Sequence, residues 1–323
     1  MNFIGTVLCA TALALAGHAT TVSAQTYATG QMRIISPYPP GGGTDVLGRT
    51  IAQKLNEAWG QPVVVENRVG ANGTIGTAFV AKAPADGHTI LLVPAGYAAN
   101  PALYSTLPYD QSRDLAPVSH LASGPLVMVK HPALPAKDLR SFIALAKAKP
   151  NSINYGTPGA GALPHLSAEL FSMMAGVKMV HVPYKGPAAA IIDLMSGEIQ
   201  AYFINILQGL PLVKSGKLHA LGVTSPQRSP IAPNLPTIAE SGLPGFDMTN
   251  WYGMLVPAGT PRDSIMKLQR EVNRILNLPE VKERLANDGM IVVASTPEQF
   301  TAFLGTETEK YNRIIKAAGI KSQ

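Results

Sequence analysis

The chain has 323 residues, and its composition, 46% hydrophobic and 14% charged, is that of a globular protein long enough to form two domains. No internal apolar stretch approaches the roughly 20 residues of a membrane-spanning helix, so an integral membrane protein is not expected. The formal net charge is +6, but the lysines and arginines are scattered; this pattern gives little support for nucleic-acid binding and indicates a mild attraction for small anions.

The amino terminus has the pattern of an export signal. Residues 3–17 are small or apolar, no Asp, Glu, Lys or Arg precedes Arg33, and Val22-Ser23-Ala24 fits the small-x-small pattern of signal peptidase. We therefore predict a signal peptide over residues 1–24, cleaved before Gln25. The first three residues carry no basic side chain, and this departure leaves a retained anchor as the alternative.

The only cysteine, Cys9, falls within this predicted signal. The predicted mature chain therefore has no cysteine, which excludes disulfides, thiolate catalysis and cysteine-ligated metals from it. An exported chain without thiols suits the oxidising envelope of a bacterium, so we expect the protein to be located in the periplasm.

Strand and helix patterns alternate from Met32 onwards. Residues 45–59 place Ile51 and Leu55 at helical spacing, and Gly60 ends that predicted helix. In chain order the first part predicts strand Met32–Ser36, helix Asp45–Trp59, strand Val63–Glu66, helix Gly76–Ala83 and strand Thr89–Val93. This alternation is typical of βαβ units on a parallel sheet.

The second part of the chain repeats this alternation. Its predicted strands are Leu126–Val129, Ile153–Tyr155, Lys178–Val182, Ala201–Phe203 and Ala220–Val223, and its predicted helices are Leu139–Lys147, Leu166–Ala175, Ala188–Ser196 and Leu210–Ser215. A proline-rich connection then leads to a predicted strand, Trp251–Val256, and to three helices that open near a proline, Pro261–Leu276, Pro279–Gly289 and Pro297–Ala318.

These elements predict an α/β fold of two domains, each a mostly parallel sheet flanked by helices. We place domain 1 at residues 25–125 plus 250–323 and domain 2 at residues 126–249. The chain then passes between the domains twice, and two such connections make a hinge.

Two glycine-rich loops each connect a predicted strand to the start of a predicted helix. The first is Pro37 to Thr44, with Gly41, Gly42 and Gly43, and the second is Gly156 to Gly161. Glycine lets the backbone approach a ligand closely, and the free N–H groups at a helix start favour an anion. One such loop in each domain predicts a small anion held between the domains.

The motifs around these loops resemble a known family. They are Pro37-Tyr38-Pro39-Pro40-Gly41-Gly42-Gly43-Thr44-Asp45, Val65-Glu66-Asn67-Arg68, Ala85-Asp86-Gly87-His88-Thr89, Leu107-Pro108-Tyr109-Asp110, Asn154-Tyr155-Gly156-Thr157-Pro158-Gly159, His181-Val182-Pro183-Tyr184-Lys185-Gly186, Leu221-Gly222-Val223-Thr224-Ser225, Pro236-Thr237-Ile238-Ala239-Glu240 and Pro257-Ala258-Gly259-Thr260-Pro261. In this order they resemble the periplasmic solute-binding proteins of tripartite tricarboxylate transporters, the Bug or TctC family, over nearly all of the predicted mature chain.

The resemblance implies a receptor with a two-domain Venus-flytrap fold. Such a receptor binds a small carboxylate in the cleft between its domains and delivers it to the permease subunits of the transporter in the membrane. The resemblance further implies a monomer that needs no cofactor or metal, binds no nucleic acid and has no catalytic activity.

The resemblance places Tyr38 in the cleft and directs the N–H groups of Gly42 and Gly43 towards a ligand carboxylate, beside Thr44. Asp45 has two interpretations. As an acidic residue in a first helical turn it interacts favourably with the helix dipole. Alternatively, it accepts a hydrogen bond from a ligand donor, because it would repel a ligand carboxylate.

The second loop offers N–H groups and one hydroxyl group to a ligand. Its predicted contact residues are Thr157, Pro158, Gly159, Gly161 and Ala162. The family commonly has Ser or Thr at the position of Ala162, and often a polar residue at that of Ile204. These two departures predict a less polar cleft that holds one carboxylate firmly.

Five further side chains are candidates for the wall of the cleft: His165, Tyr184, Asn205, Tyr97 and Trp251. For the aromatic residues, simple packing is the alternative. His165 either packs near the start of its helix or orders the loop beside a ligand. Asn205 is notable because it is polar and directly follows an apolar strand.

The sequence lacks the motifs of the common hydrolases and nucleotide-binding enzymes. It has no Gly-x-Ser-x-Gly, no Gly-x-x-x-x-Gly-Lys-Ser/Thr and no His-Glu-x-x-His. We therefore predict a binding protein. Two alternatives stay open at this point, a periplasmic sensing subunit for a membrane signalling partner and an envelope enzyme, and the sequence does not identify the carboxylate.

Overall fold

Two β-sheets flanked by helices make up the computed structural model, which describes residues 30–320. The strands are β1 (Met32–Ser36), β2 (Val63–Asn67), β3 (Thr89–Pro94), β4 (Leu115–Gly124), β5 (Leu126–Lys130), β6 (Asn154–Thr157), β7 (Val180–Pro183), β8 (Ala201–Asn205), β9 (His219–Val223), β10 (Asn250–Pro257) and β11 (Ile291–Val292). The helices are α1 (Gly43–Trp59), α2 (Thr74–Ala81), α3 (Asn100–Leu103), α4 (Leu139–Ala148), α5 (Leu163–Ala175), α6 (Pro187–Ser196), α7 (Ile206–Lys214), α8 (Arg262–Leu276), α9 (Pro279–Asn287) and α10 (Pro297–Ala317). The predicted signal peptide lies outside the described residues.

The first sheet has the strand order β11-β4-β10-β3-β1-β2, and the second has the order β7-β6-β8-β5-β9. We call the first sheet with α1–α3 and α8–α10 the first lobe, and the second sheet with α4–α7 the second lobe. The predicted α/β fold is confirmed. Each sheet, however, contains both parallel and antiparallel strand pairs, whereas mostly parallel sheets were predicted. The chain leaves the first lobe at the end of β4 and returns to it at the start of β10. Because these two strands are neighbours and both of these ends lie on the side of the hinge, the strands run antiparallel. The same applies to β5 and β9 in the second lobe.

Two connections join the lobes, and they are bonded to each other. Only Pro125 separates β4 from β5, and the return runs from Thr224 to the start of β10. The Thr224 hydroxyl accepts from the Leu126 N–H at 2.9 Å, and the Thr224 carbonyl accepts from the Met248 N–H at 3.0 Å. The predicted domain boundaries, between residues 125 and 126 and between residues 249 and 250, fall at the ends of these connections. The division into domains stays a prediction.

Helix α1 is fixed on the first sheet by one apolar face. Leu47, Ile51 and Leu55 recur every four residues, are fully buried, and join Leu268 and Val272 of α8 in one hydrophobic cluster. Because the helix lies along β1, its amino-terminal end is held at the edge where β1 ends.

The lobes touch along α5 and α10 and at the starts of two second-lobe helices. Leu103 of α3 belongs to the same hydrophobic cluster as Leu163 of α5, and a Cβ atom on Gly161 would lie 2.6 Å from the Leu103 side chain. At the other helix start, Gly289 of the first lobe packs against Ile206, the first residue of α7. Both contacts involve the starts of second-lobe helices, so these helix starts lie against the first lobe.

Candidate functional site

The first glycine loop ends in an uncapped helix start. Gly42 is the N-cap of α1, with φ −77° and ψ 168°. Because glycine has no side chain, it makes no capping hydrogen bond to the first turn of the helix. The first main-chain bond at this end runs from the Val46 N–H to the Gly42 carbonyl. The N–H groups of Gly43 and Thr44 therefore retain the positive partial charge of a helix start, which favours an anion.

A cavity of about 240 Å³ adjoins this helix start. Its lining comes from both lobes: Gly41, Gly42, Gly43, Val46, Asp288 and Met290 of the first, and Asn205, Leu207 and Gln208 of the second. The amino-terminal ends of α1 and α7 thus meet at one cavity, one from each lobe. Two helix starts at the same cavity add their positive partial charges, so the position suits a negatively charged group.

Asn205 is the N-cap of α7 and lies in this lining. Its side-chain Oδ1 accepts from the Leu207 N–H at 3.0 Å, which satisfies one free donor of that helix start. Because the oxygen is used in this way, the side-chain Nδ2 is the part of Asn205 that is left to donate to a bound group.

Asp45 is buried and is used within the protein. Its Oδ2 accepts from the Gly41 N–H at 3.1 Å and from Arg49 Nε at 2.9 Å, and its Oδ1 accepts from Asn67 Nδ2 at 3.0 Å. Burial alone would raise the pKa of this carboxyl, but these hydrogen bonds hold the pKa below its ordinary value. Asp45 therefore holds the glycine loop in place, a role that neither interpretation from the sequence included.

Tyr38 is half-buried, and its hydroxyl group is hydrogen-bonded to the first of two linked asparagines. It donates to the Asn72 carbonyl at 3.1 Å, and Asn72 Nδ2 donates to Asn100 Oδ1 at 2.8 Å. Asn72 has a positive φ of 49°, a conformation that Asn tolerates better than most residues. Neither asparagine was among the predicted site residues, although Asn72 lies between the closely spaced glycines Gly70 and Gly73.

The second glycine loop uses most of its own donors. The Gly159 N–H donates to Thr157 Oγ1 at 3.3 Å, and the Gly161 N–H donates to His165 Nδ1 at 2.9 Å. These N–H groups, which were predicted to face a ligand, instead fix the shape of the loop. Pro158 lies half-buried between the bonded residues.

The two departures from the family pattern have different outcomes. Ala162 is the N-cap of α5 and offers no side-chain acceptor, so the His165 N–H in the first turn of that helix receives no capping bond from it. Ile204 is only 1% exposed and packs with Val127 beneath Gly209 of α7. Ile204 therefore gives no support to a less polar cleft.

Three aromatic candidates are engaged elsewhere. Tyr97 is 1% exposed in the cluster shared by the lobes, and the Tyr184 hydroxyl donates to Asp193 Oδ2 at 2.7 Å. Trp251 is fully buried, and its Nε1 donates to Glu307 Oε2 at 3.1 Å. None of these three side chains is in the lining of the 240 Å³ cavity.

A second cavity, of about 280 Å³, lies beside the hinge. Trp251, Phe303, Ile291 and Val293 contribute its apolar walls, and Lys310 is the one cationic side chain of its lining. Lys310 Nζ is already 2.6 Å from a Glu307 carboxylate oxygen. This cavity therefore suits an anion less well than the cavity between the helix starts.

Among the predicted contact residues, Gly42, Gly43 and Asn205 are brought to one cavity, and Thr44 and Asp45 lie directly behind them. The second loop instead contacts the first lobe, through Gly161 at Leu103. Leu207 and Gln208 were missed although they lie only two and three residues after Asn205. Asp288 and Met290 were also missed, and nothing in their local sequence marks them.

Residues 30–320 carry neither a metal-binding cluster nor a membrane-spanning helix. No group of three or more His, Cys, Asp or Glu side chains in that range is arranged to hold a metal ion. In the same range, none of the helices is both long enough and apolar enough to cross a membrane.

Comparison with known proteins gives a consistent result. The model of the family described as "tripartite tricarboxylate transporter family receptor" matches residues 47–320. Protein BugT of Bordetella pertussis is 39% identical over 311 residues, which cover 96% of this chain and 95% of BugT.

Two solved structures carry a bound ligand. R. palustris Rpa4515 with adipate has a TM-score of 0.82 and 34% identity, covering 92% of this chain and 100% of its own. MatC from Rhodopseudomonas palustris with bound malate has a TM-score of 0.76 and 29% identity, covering 89% of this chain and 99% of its own. The fold is thus the two-domain fold of periplasmic binding proteins, as the sequence predicts.

Proposed function

Because the chain belongs to the tripartite tricarboxylate transporter family of receptors, we propose that it binds a small carboxylate between its lobes and delivers it to a membrane permease. The family and its structural neighbours are solute-binding proteins, not enzymes, and this chain is a solute-binding protein. The carboxylate and the delivery are the parts that we propose.

One observation carries the proposal: the starts of α1 and α7 meet at the same cavity from opposite lobes. A carboxylate at this position accepts from the Gly43 and Thr44 N–H groups on one side and from Asn205 Nδ2 on the other. Its negative charge lies at the positive ends of both helices. A solute that bonds to both lobes stabilises their closed arrangement, which is the form a permease can recognise.

The rest of the lining narrows the class of solute. Asp288 is the one acidic side chain of the cavity lining, and it repels a second carboxylate but accepts from a hydroxyl or amine. We therefore propose a solute with one firmly held carboxylate and a hydrogen-bond donor. The malate of MatC has such a donor in its hydroxyl group beside its two carboxylates, whereas the adipate of Rpa4515 has two carboxylates and no such donor.

The first experiment is a thermal-shift and calorimetric titration with malate, adipate and a series of monocarboxylates. A bound solute raises the melting temperature, and the stabilisation grows with the logarithm of one plus the ratio of its concentration to its Kd. The dimethyl esters of malate and adipate serve as uncharged controls of similar shape. We expect binding by an acid but not by its ester, and equal binding of acid and ester would contradict an anion site.

We also propose that the receptor acts in the periplasm as a monomer. The export pattern of residues 1–24 and the periplasmic location of the family support the location. The resemblance to the family is the basis for the monomer. Intact mass measurement of the exported protein tests the location, because cleavage at the predicted site gives a chain that begins at Gln25.

A further inference from the structure

Two histidines from different elements hold the second glycine loop. His165 of α5 accepts the Gly161 N–H on Nδ1 at 2.9 Å, and His181 of β7 has its Nε2 2.6 Å from Thr157 Oγ1. Their rings stack, with centroids 3.9 Å apart and planes 12° from parallel. Both ends of the loop are therefore bonded to one imidazole pair.

The hydrogen bonds determine where each imidazole carries its proton. A donating Gly161 N–H requires a bare Nδ1 on His165, so the proton of that ring is on Nε2. The Thr157 hydroxyl donates its single proton to the Gly159 carbonyl at 3.2 Å, so it accepts from His181 Nε2–H. His165 therefore presents a bare Nδ1 to the loop, and His181 presents its Nε2–H.

The groups around the pair are one carboxylate and one phenol. Glu169 of α5 lies 3.7 Å from His165 Nε2 and accepts from the Tyr155 hydroxyl of β6. The Tyr155 ring stacks on His181, with centroids 5.2 Å apart. Burial and the neighbouring His165 lower the pKa of His181 to about 4, while the Glu169 carboxylate opposes this shift.

The second glycine loop, which the two histidines hold, also makes one of the contacts between the lobes. Gly161 has a φ of 76°, and its backbone lies so close to Leu103 of the first lobe that a side chain would not fit. The His165 bond therefore orients the residue at which the second lobe touches the first. A change in this bond would alter both the loop and the lobe contact.

We propose that His165 and His181 are positioning residues, which keep the second glycine loop in the shape that its contact with Leu103 of the first lobe requires. The inference rests on the proposed function, since the two lobes hold the solute between them and this loop makes one of the contacts between the lobes. Loss of the His165 Nδ1 acceptor leaves the Gly161 N–H unpaired and releases the loop. Solute affinity accordingly falls when this bond is lost, while the rest of the fold is retained.

Two pairs of variants test this proposal. In His165→Asn the side-chain oxygen takes the place of Nδ1, and in His181→Gln the side-chain nitrogen takes the place of Nε2, so both bonds can form without a titrating group. In His165→Leu and His181→Leu the bonds are lost. We expect the Asn and Gln variants to bind malate within about threefold of the wild type, and the Leu variants to bind at least about tenfold more weakly.

The exchange of backbone amide hydrogens provides a readout that needs no solute. At neutral pH the Gly161 amide should be protected in the wild type and in His165→Asn, and unprotected in His165→Leu.

The outcomes separate the two proposals. Equal protection of Gly161 in all variants, or a proton found on His165 Nδ1 by nitrogen NMR, would overturn the positioning role even if solute binding is intact. If wild type and variants bind none of the acids, the proposed function fails, and amide exchange still decides whether the pair holds the loop.

Discussion

The hydroxyl group of Tyr252 lies directly against the backbone of Gly43, in the space where a side chain at residue 43 would be. Tyr252 is in β10, the strand on which the chain returns from the second lobe, and its hydroxyl accepts from Asn250 Nδ2 at 2.8 Å. The start of α1 is thereby fixed to the strand next to the hinge. Glycine at this position is required by packing within the protein, not by the approach of a ligand.

This relationship predicts different effects at two adjacent glycines. Gly43→Ala should reduce the free energy of unfolding by about 1–3 kcal/mol, because the new methyl group overlaps the Tyr252 hydroxyl. Gly42→Ala should change it by less than about 0.5 kcal/mol, since its φ of −77° suits any residue and its nearest neighbour would be the Pro39 carbonyl at 3.5 Å. Urea denaturation of both variants measures these values. Equal stability of the two would show that Tyr252 does not restrict residue 43.

Substitutions of Asp45 and of its partner Arg49 should also differ in their effect on the free energy of unfolding. Asp45→Ala leaves the Gly41 N–H and the Asn67 amide without an acceptor, so we expect a loss of about 1–3 kcal/mol in the free energy of unfolding. Arg49→Ala removes an ion pair and a 3.4 Å hydrogen bond to Asn67 Oδ1, both made by an arginine side chain that is 55% exposed, and should cost less than about 1 kcal/mol.

The Asp45 contribution has a defined pH dependence. The folded-state pKa of this carboxyl is lowered, so its stabilisation is complete above its ordinary pKa of 3.8 and is lost as pH falls through the folded value. Denaturation curves of the wild type and Asp45→Ala should therefore converge at acid pH. A constant difference down to the lowest pH at which both fold would contradict this assignment.

His120 should make the protein less stable as the pH falls. Burial lowers its pKa to about 4 from the ordinary 6.5, so between these values the unfolded chain binds a proton that the folded chain does not. The free energy of unfolding therefore decreases from pH 6.5 to pH 4. His120→Phe keeps the stacking on Phe303, at 4.5 Å between centroids, and should flatten this decrease. An unchanged slope would show that His120 is protonated in the folded state.

Asp288 predicts a change in solute preference. Asp288→Asn removes the acidic charge from the cavity lining but keeps the size of the side chain. We expect the ratio of adipate affinity to malate affinity to rise by about three- to tenfold, because the repulsion of the second carboxylate is relieved for both acids, while malate also loses the charged acceptor of its hydroxyl group. Calorimetric titration with both acids measures the ratio, and an unchanged ratio would show that Asp288 does not face the solute.

Much of the fold could be predicted from the sequence because most strands are apolar runs between glycines and prolines. Strand β4, Leu115–Gly124, was missed because it mixes Pro, Ser and His with apolar residues, and β11 has only two residues. The antiparallel strands follow from where the chain returns to each sheet, which no local pattern shows.

The candidate site was predictable in part. The helix start at Gly43 and the N-cap Asn205 could be identified, because glycine loops and polar residues after strands are local signals. The misassignment of Ile204 has a simple cause. Successive residues of a strand point to opposite faces, so if Asn205 faces the cavity, Ile204 faces the helix-covered side. The bond from Gly161 to His165 depends on ring orientation, which sequence spacing does not determine.

The most direct test of a carboxylate held between the two helix starts is calorimetric titration of Asn205→Asp with malate and adipate. Aspartate caps a helix as well as asparagine does, so α7 and the melting temperature should be retained. The new charge replaces the Nδ2 donor and repels the ligand. Asn56→Asp, an exposed position on α1, is the control with the same charge change.

We predict that Asn205→Asp binds the acid that the wild type binds at least about tenfold more weakly, while Asn56→Asp binds it as the wild type does. Equal affinity of Asn205→Asp and Asn56→Asp would contradict the placement of the carboxylate between α1 and α7.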